Sequence, residues 1–466
     1  MPSLNIADPL TWLLAFSGLA LLVWIAVRPR VGLGLAVLSL AFVPLVPEAE
    51  GGWRLFVWAG LLLYLLVVFL VQYLLKGWRE SSQARNPDSG LSRALLVFLL
   101  LVAASFPVSL IYNESFPVGA RAYFYLRGAS PFFFLLLYFL FRYHIRYLDE
   151  ASRWLRIMLV AIGAVLLKSF YIWWESSVSR LTVGYQAAII QYFVLGFVLS
   201  ATQYLYARSL WVRCLSVFLC LFFAVGMAIS GARGQVISTL VGVGVLGFWK
   251  WVEAKEQRKL AIAVPIALLF LIAATTTIVT TGLARDERVV RLWEYQLQQR
   301  ETVSHRVVEM REGLNHFAES PLWGKGLGFM RQTDIPYGAL VERRWGRFGY
   351  VHNIAIYLLM TMGLLGFVGY GGVFWRWVTA MWKHRFAWCR SPVIAAASAC
   401  TCSLLFSALT TASFRMLQFH FLMSFFMALS FASATSAGTR PARSKSPASA
   451  ATWATRGAET APLPPP

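Results

Sequence analysis

Apolar residues run through this chain in blocks too long for a soluble core. They lie near 10–27, 31–46, 53–75, 92–111, 122–142, 152–174, 183–205, 212–230, 235–251, 260–282, 351–375, 392–411 and 414–434. About 20 helical residues cross the roughly 30 Å of hydrocarbon in a bilayer. Backbone exposed to lipid must satisfy its own hydrogen bonds, so each block predicts a transmembrane helix. The first two blocks are short and joined by Arg28-Pro29-Arg30, which leaves twelve or thirteen spans. Residues Met1 to Leu10 contain no Lys or Arg and no small-residue cleavage site stands out, so no cleavable signal peptide is expected.

Composition agrees with the pattern. Of 466 residues 58% are hydrophobic and 14% charged, against about 25% charged in soluble domains. The chain divides into N-terminal spans (1–282), a large loop (283–350), C-terminal spans (351–435) and a tail (436–466). The tail is rich in Ala, Ser, Thr and Pro and reads as disordered.

The net charge of +21 raises nucleic acid as a partner, but its distribution removes it. Lys and Arg gather in alternate loops: Arg28 and Arg30; Lys76, Arg79, Arg85 and Arg93; Arg142, Arg146, Arg153 and Arg156; Arg208 and Arg213; Lys250, Lys255, Arg258 and Lys259; Arg376, Lys383, Arg385 and Arg390. Arg440, Arg443 and Lys445 add to the tail. Cytoplasmic loops carry this bias, so these loops and the C-terminus are expected inside. The loops 47–52, 112–121, 175–182, 230–234, 283–350 and 411–415 are then external. All five cysteines fall in spans or on the inner side, and no Cys/His zinc spacing appears.

Within the large loop, residues 303–318 predict an amphipathic helix. Val303, Val307, Met310, Leu314 and Phe317 form one apolar stripe. A second helix is suggested by Val289, Trp293 and Leu297. Glu319-Ser-Pro321 ends the patterned helix, because the residue before a proline resists helical geometry. Pro321-Leu-Trp-Gly-Lys-Gly-Leu-Gly328 follows, with glycines that permit tight turning. His305, Glu309, Glu312 and His316 share a face whose spacing suits a metal, but it lies opposite the apolar stripe. A solvated charged face is the expectation, and no metal or other cofactor is expected. Arg306 sits on the flank of the stripe and is expected to be partly sheltered, with an anionic partner.

The short external loops and flanking helix ends hold Arg54, Arg121, Arg127, Arg180, Arg233 and Arg415, and those loops contain no lysine. A planar guanidinium binds phosphate in bidentate fashion, where lysine offers a point charge. Contact with lipid headgroups, or pairing with Glu114 and Glu175, is the structural alternative. Clustering favours function, since interfacial charges are costly and usually functional. His352-Asn353 opens a span, followed nine residues later by Gly363-Leu-Leu-Gly366. Small residues there would let helices pack closely.

These features, in this order, resemble the O-antigen ligase and O-antigen polymerase superfamily. They are a short Arg233-Gly234 connection, a large external loop with Arg306 opening a helix, the turn from Pro321 to Gly326, and His352-Asn353-x9-Gly363-x2-Gly366. Phe367 stands where ligases often have Thr. The resemblance implies an all-α polytopic membrane glycosyltransferase of the GT-C type, with twelve or thirteen spans and one large helical periplasmic loop. It implies metal-independent, inverting transfer of O-antigen polysaccharide from undecaprenyl pyrophosphate to a sugar of lipid A–core. The reaction would occur on the periplasmic face of the bacterial inner membrane, within membrane lipids. By position His352 matches the family's essential histidine, and Arg233 and Arg306 its essential arginines. Arg180 and Arg415 join the pyrophosphate site by topology, and Asn353, Gly326, Gly363 and Gly366 support it.

Elementary chemistry fits that expectation. No nucleotide-sugar pool exists outside the cytoplasm, so a donor there must carry its own activation. Histidine suits the base, and fixed arginines suit the leaving group. No Asp-x-Asp occurs in the external loops, so arginines would stand in for a metal. A polymerase shares the donor with a different acceptor. Protein O-glycosylating relatives usually carry a further C-terminal region. A transporter or flippase is the reading from another class, but it would more often show symmetric broken helices, and no internal repeat is visible.

Overall fold

The computed structural model describes residues 20–41, 53–80, 89–114, 116–175, 190–230, 233–253, 300–329 and 351–432. Its long elements are all helices, and the chain is an all-α polytopic membrane protein. In order they are α1 (Ala20–Val27), α2 (Pro29–Leu38), α3 (Trp53–Glu80), α4 (Ser89–Tyr112), α5 (Val118–Phe133), α6 (Leu137–His144) and α7 (Leu148–Glu175). There follow α8 (Ile190–Tyr206), α9 (Leu210–Ser230), α10 (Arg233–Glu253), α11 (Arg300–Glu319), α12 (Ile354–Lys383), α13 (Arg385–Trp388), α14 (Pro392–Thr410) and α15 (Leu417–Leu429).

Among the described residues, eight helices are long and apolar enough to cross a membrane, or nine if a bent pair counts as one span. The bent pair is α1 and α2, which meet at 112° at the proline between the first two expected spans. The expected span at 414–434 is a 13-residue helix, α15. At 1.5 Å per residue it is about 20 Å long, short of a full crossing. The expected span at 260–282, the helix suggested by Val289, Trp293 and Leu297, and the tail lie outside the described residues.

Two helices form the centre. Every residue of α15 from Gln418 to Leu429 is buried, and α14 is buried along most of its length. α10 and α8 pack on α14, α15 packs on α6, and α4 packs on α12. Small residues and hydroxyls on α14 allow this close approach. Trp249 on α10 donates its indole N–H to Ser398 Oγ at 2.6 Å. The outer helices expose apolar side chains, Leu63 and Leu74 of α3 and Leu96 and Leu100 of α4 among them. Lipid is the natural solvent for those surfaces.

Contacts separate the two ends of the bundle. At one end Arg30 pairs with Glu150 at 2.9 Å, and the Lys250 ammonium lies 3.6 Å from the Tyr206 ring centroid. At the other end the last turn of α14 meets α8, α10 and α11 (below).

The feature that places the site is a break in α12. Gly363 has φ 62° and ψ −161°, a conformation essentially confined to glycine. The break frees backbone groups on both sides, and membrane backbone must find partners. The glycine-rich turn after α11 supplies them. Lys325 N donates to Met360 O (2.9 Å) and Gly326 N to Thr361 O (2.7 Å). Leu364 N donates to Pro321 O at 2.8 Å. A Cβ at Gly363 would lie 2.4 Å from the carbonyl carbon and oxygen of Leu322. Gly326, at φ +85°, rests on α4, where a Cβ would meet Ser109 backbone at 2.3 Å. The expectation of close helix packing at Gly363 is therefore corrected: what packs there is the turn's backbone. Gly366 lies within the helix, its Cβ position against Met362.

Gly363→Ala is predicted to destabilise the protein by about 3 kcal/mol or more, through backbone strain and collision with Leu322. Gly371→Ala, in the same helix with nothing within 4 Å of its Cβ position, is predicted to be near neutral. Thermal unfolding of the detergent-solubilised variants measures the difference, and equal midpoints would remove the break from the account.

Candidate active site

The site is assembled around the docked turn. α11 is described from Arg300 and ends at Glu319, before Pro321, where its pattern predicts the end. It packs along the first part of α12. The face turned toward α12 is only partly the apolar stripe: Met310 packs on the core and Phe317 is half-buried. Val307 and Leu314 are exposed, while Glu309 is 3% exposed and Gly313 is buried. A Cβ at Gly313 would lie 2.7 Å from Ile356, so glycine lets the helices approach. The expectation of a solvated face containing Glu309 is thus corrected. Half of an apolar stripe in a membrane protein need not turn into protein, and here a histidine–carboxylate hydrogen bond and a glycine face α12. His305 has no described side chain.

Glu309 Oε2 lies 2.7 Å from His352 Nδ1. The His352 side chain is 32% exposed and that of Glu309 only 4%. A carboxylate can only accept, so Nδ1 carries the proton in this pair. Asn353 is the N-cap of α12: its Oδ1 accepts from the backbone N–H of Ala355 (2.9 Å) and Ile356 (3.2 Å). The cap holds His352 one residue outside the helix.

One turn earlier on α11, Arg306 points elsewhere. It is exposed, and Nη1 donates to Thr410 O at 3.2 Å. The expected sheltering is corrected, and the acceptor found here is a carbonyl rather than an acid. The same Thr410 faces α10, since a Cβ at Gly234 would lie 3.1 Å from Thr410 Oγ1. α10 starts at Arg233, whose side chain lies outside the described residues. Arg180 also lies outside them. Arg415 closes the 3₁₀ turn Ala412–Arg415 directly after Thr410 and Thr411, and is partly buried. Its neighbour Phe414 packs on Tyr357 of α12, ring centroids 5.2 Å apart. The turn 410–415 therefore links the α10 start, Arg306, Arg415 and the helix that begins beside His352.

A polar network that periodicity did not reveal supports this turn. Ser407 Oγ accepts from Gln191 Nε2 (3.2 Å) and from Gln235 Nε2 (3.1 Å). The Thr411 and Ser413 hydroxyls are 2.7 Å apart. Its signal in the sequence is the gathering of Gln, Ser and Thr at span ends. Arg121, one of the isolated external arginines, has a structural task. Its guanidinium donates to the carbonyls of Leu110 (3.1 Å), Glu114 and Phe116, closing the end of α4.

Lys325 of the docked turn is buried. Its ammonium is 2.6 Å from Glu319 and 4.2 Å from the Tyr112 ring centroid. The hydrogen bond from Lys325 holds the Glu319 carboxyl below its ordinary range. A carboxyl whose pKa falls on folding adds stability above its unfolded value, near 4.3, and loses it as pH drops through the folded value. With Glu319 side chain 55% exposed, solvent screening keeps that gain small. No group of three or more His, Cys, Asp or Glu among the described residues is placed to hold a metal.

The fold and this end of the bundle define a polytopic membrane protein with a histidine–carboxylate pair beside a turn that gathers arginine-bearing elements. The O-antigen ligase family model matches residues 217–371, roughly a third of the chain, from α9 through the docked turn to α12. The match supports a member of the O-antigen ligase and polymerase superfamily. No curated protein matches the chain.

Asn353→Ala is predicted to lower stability by about 1 kcal/mol, through loss of the cap, with Asn353→Asp retaining most of it. Unfolding midpoints check this; an unchanged Ala variant would show that the cap does not hold the start of α12.

Proposed function

We propose that the chain transfers O-antigen polysaccharide from undecaprenyl pyrophosphate to a sugar of lipid A–core, at the periplasmic face of the bacterial inner membrane. The observation that carries this reading is the meeting of Arg306, the start of α10 and the Arg415 turn at Thr410, one turn of α11 from the acid that holds His352. A pyrophosphate leaving group needs fixed positive charge, and an attacking hydroxyl needs a base. Those needs lie a few ångströms apart in any glycosyl transfer, and residues three apart on a helix are about 5–6 Å apart at Cβ.

In this reading the acceptor hydroxyl gives its proton to His352 Nε2. Its oxygen bonds to the anomeric carbon from the face opposite the pyrophosphate. The bond from that carbon to the pyrophosphate oxygen breaks, and undecaprenyl pyrophosphate leaves with the electron pair. Arg306, Arg233, Arg415 and Arg180 neutralise it, and the anomeric configuration inverts. Preorganised cations are effective here because they need no rearrangement as charge develops. Asn353 and the glycines Gly326, Gly363 and Gly366 act through the backbone they hold. The basic end of the bundle faces the cytoplasm, together with the C-terminal tail. The exposed apolar flanks serve as walls for two lipid substrates. The described helices within 1–282 and 351–435 form the membrane body, and α11 with its turn (300–329) lies beside the donor.

His352→Ala is predicted to lower transfer by about 10²–10⁴-fold. Lipopolysaccharide from cells carrying the variant is expected to lack long polysaccharide while lipid-linked polymer accumulates. Normal lipopolysaccharide would refute the base role, and short chains with single units still attached would assign the protein as the polymerase.

A further inference from the structure

We propose that Glu309 is the positioning residue of the transfer reaction: it fixes the His352 tautomer and stabilises the imidazolium that forms when His352 takes the acceptor proton. This deepens the reading above and rests on it. Three observations carry it. The Nδ1–Oε2 distance of 2.7 Å is that of a charge-assisted hydrogen bond. Glu309 is buried while about a third of the His352 side chain is exposed, so the acid stands behind the ring and away from solvent. Both ends of the pair are rigidly held, Glu309 by a helix packed through Gly313 and His352 by the Asn353 cap.

The chemistry follows from the donor and acceptor inventory. With Nδ1–H committed to the carboxylate, Nε2 is the nitrogen that takes a proton. As the proton arrives, the ring becomes cationic and the carboxylate already in place compensates it. A neighbouring acid that orients a histidine base acts in this way in hydrolases of unrelated fold. The arrangement also gives α11 two tasks on adjacent turns. Arg306 addresses the leaving-group side through Thr410, and Glu309 addresses the base. Docking of the glycine turn in the α12 break sets the register of both.

A purely structural pair, pinning α11 to α12, would make a different prediction. The experiment uses the full chain in nanodiscs. Donor is undecaprenyl-pyrophosphate-linked O-antigen, acceptor is lipid A–core, and kcat and KM are measured. Glu309→Gln keeps shape but loses charge and presents an amide to Nδ1. It is expected to lower kcat on the order of 10²-fold, with donor KM changed by no more than about twofold. Glu309→Asp is expected to recover much of the rate. In a His352→Ala background the Gln substitution is expected to have no further effect, because Glu309 acts through the ring.

A wild-type rate for Glu309→Gln with His352→Ala inactive would overturn the role of Glu309 and leave the transfer reading standing. A Gln loss that multiplies the His352→Ala loss would overturn it too, by showing that the acid acts independently of the ring. Full activity of His352→Ala would overturn both readings together. Should Glu309→Gln fail to fold, the same cycle is run with Glu309→Asp, expected to lower kcat partially beside His352 and not at all beside Ala.

Discussion

A peptide backbone inside a membrane must satisfy every N–H and C=O from within the protein, and the site of this chain is built on the one place where α12 stops doing so for itself. At Gly363 the helix opens, and the backbone of residues 321–326 closes it again through the carbonyls of Met360 and Thr361 and the amide of Leu364. That exchange fixes the turn. The turn is continuous with the end of α11 through Glu319 and Pro321, so it fixes α11 as well. Buried Lys325 adds a second tie, to Glu319 and Tyr112. The remaining geometry of the site descends from this docking.

Electrostatics then divides the docked helix. Glu309 faces the protein and Arg306 faces outward toward the 410–415 turn. A buried carboxylate is costly unless it is paired and hydrogen-bonded, and the His352 imidazole supplies that partner. The guanidinium stays exposed and, among the described residues, donates to the carbonyl of Thr410. The Gln191, Gln235 and Ser407 network stiffens the opposing turn with neutral hydrogen bonds. Such bonds hold position without competing for an anion.

Much of this was legible before the structure. Long apolar blocks set the all-helical membrane class, and Pro321 set the end of α11. His352, Asn353, Arg306 and the glycines were singled out by their order along the chain. Their roles were less legible. Gly363 reads as a small packing residue because periodicity does not report φ. Glu309 reads as solvated because its partner is 43 residues away in sequence, and periodicity ranks only neighbours on one helix. Periodicity also overstated the apolar stripe: Met310 packs on the core, but Val307 and Leu314 are exposed, because apolar faces in a membrane need not turn into protein. Arg121 looked like its fellow external arginines until its guanidinium was seen closing the end of α4.

We propose that one end of this bundle holds a lipid pyrophosphate between arginines, with its sugar turned to the Glu309–His352 pair. An experimental structure of the chain in nanodiscs with undecaprenyl-pyrophosphate-linked O-antigen tests it directly. The account predicts the diphosphate against Arg306 and the 410–415 turn, and the anomeric carbon facing His352. A diphosphate seated at the opposite end, beside Arg30 and Lys250, would contradict it.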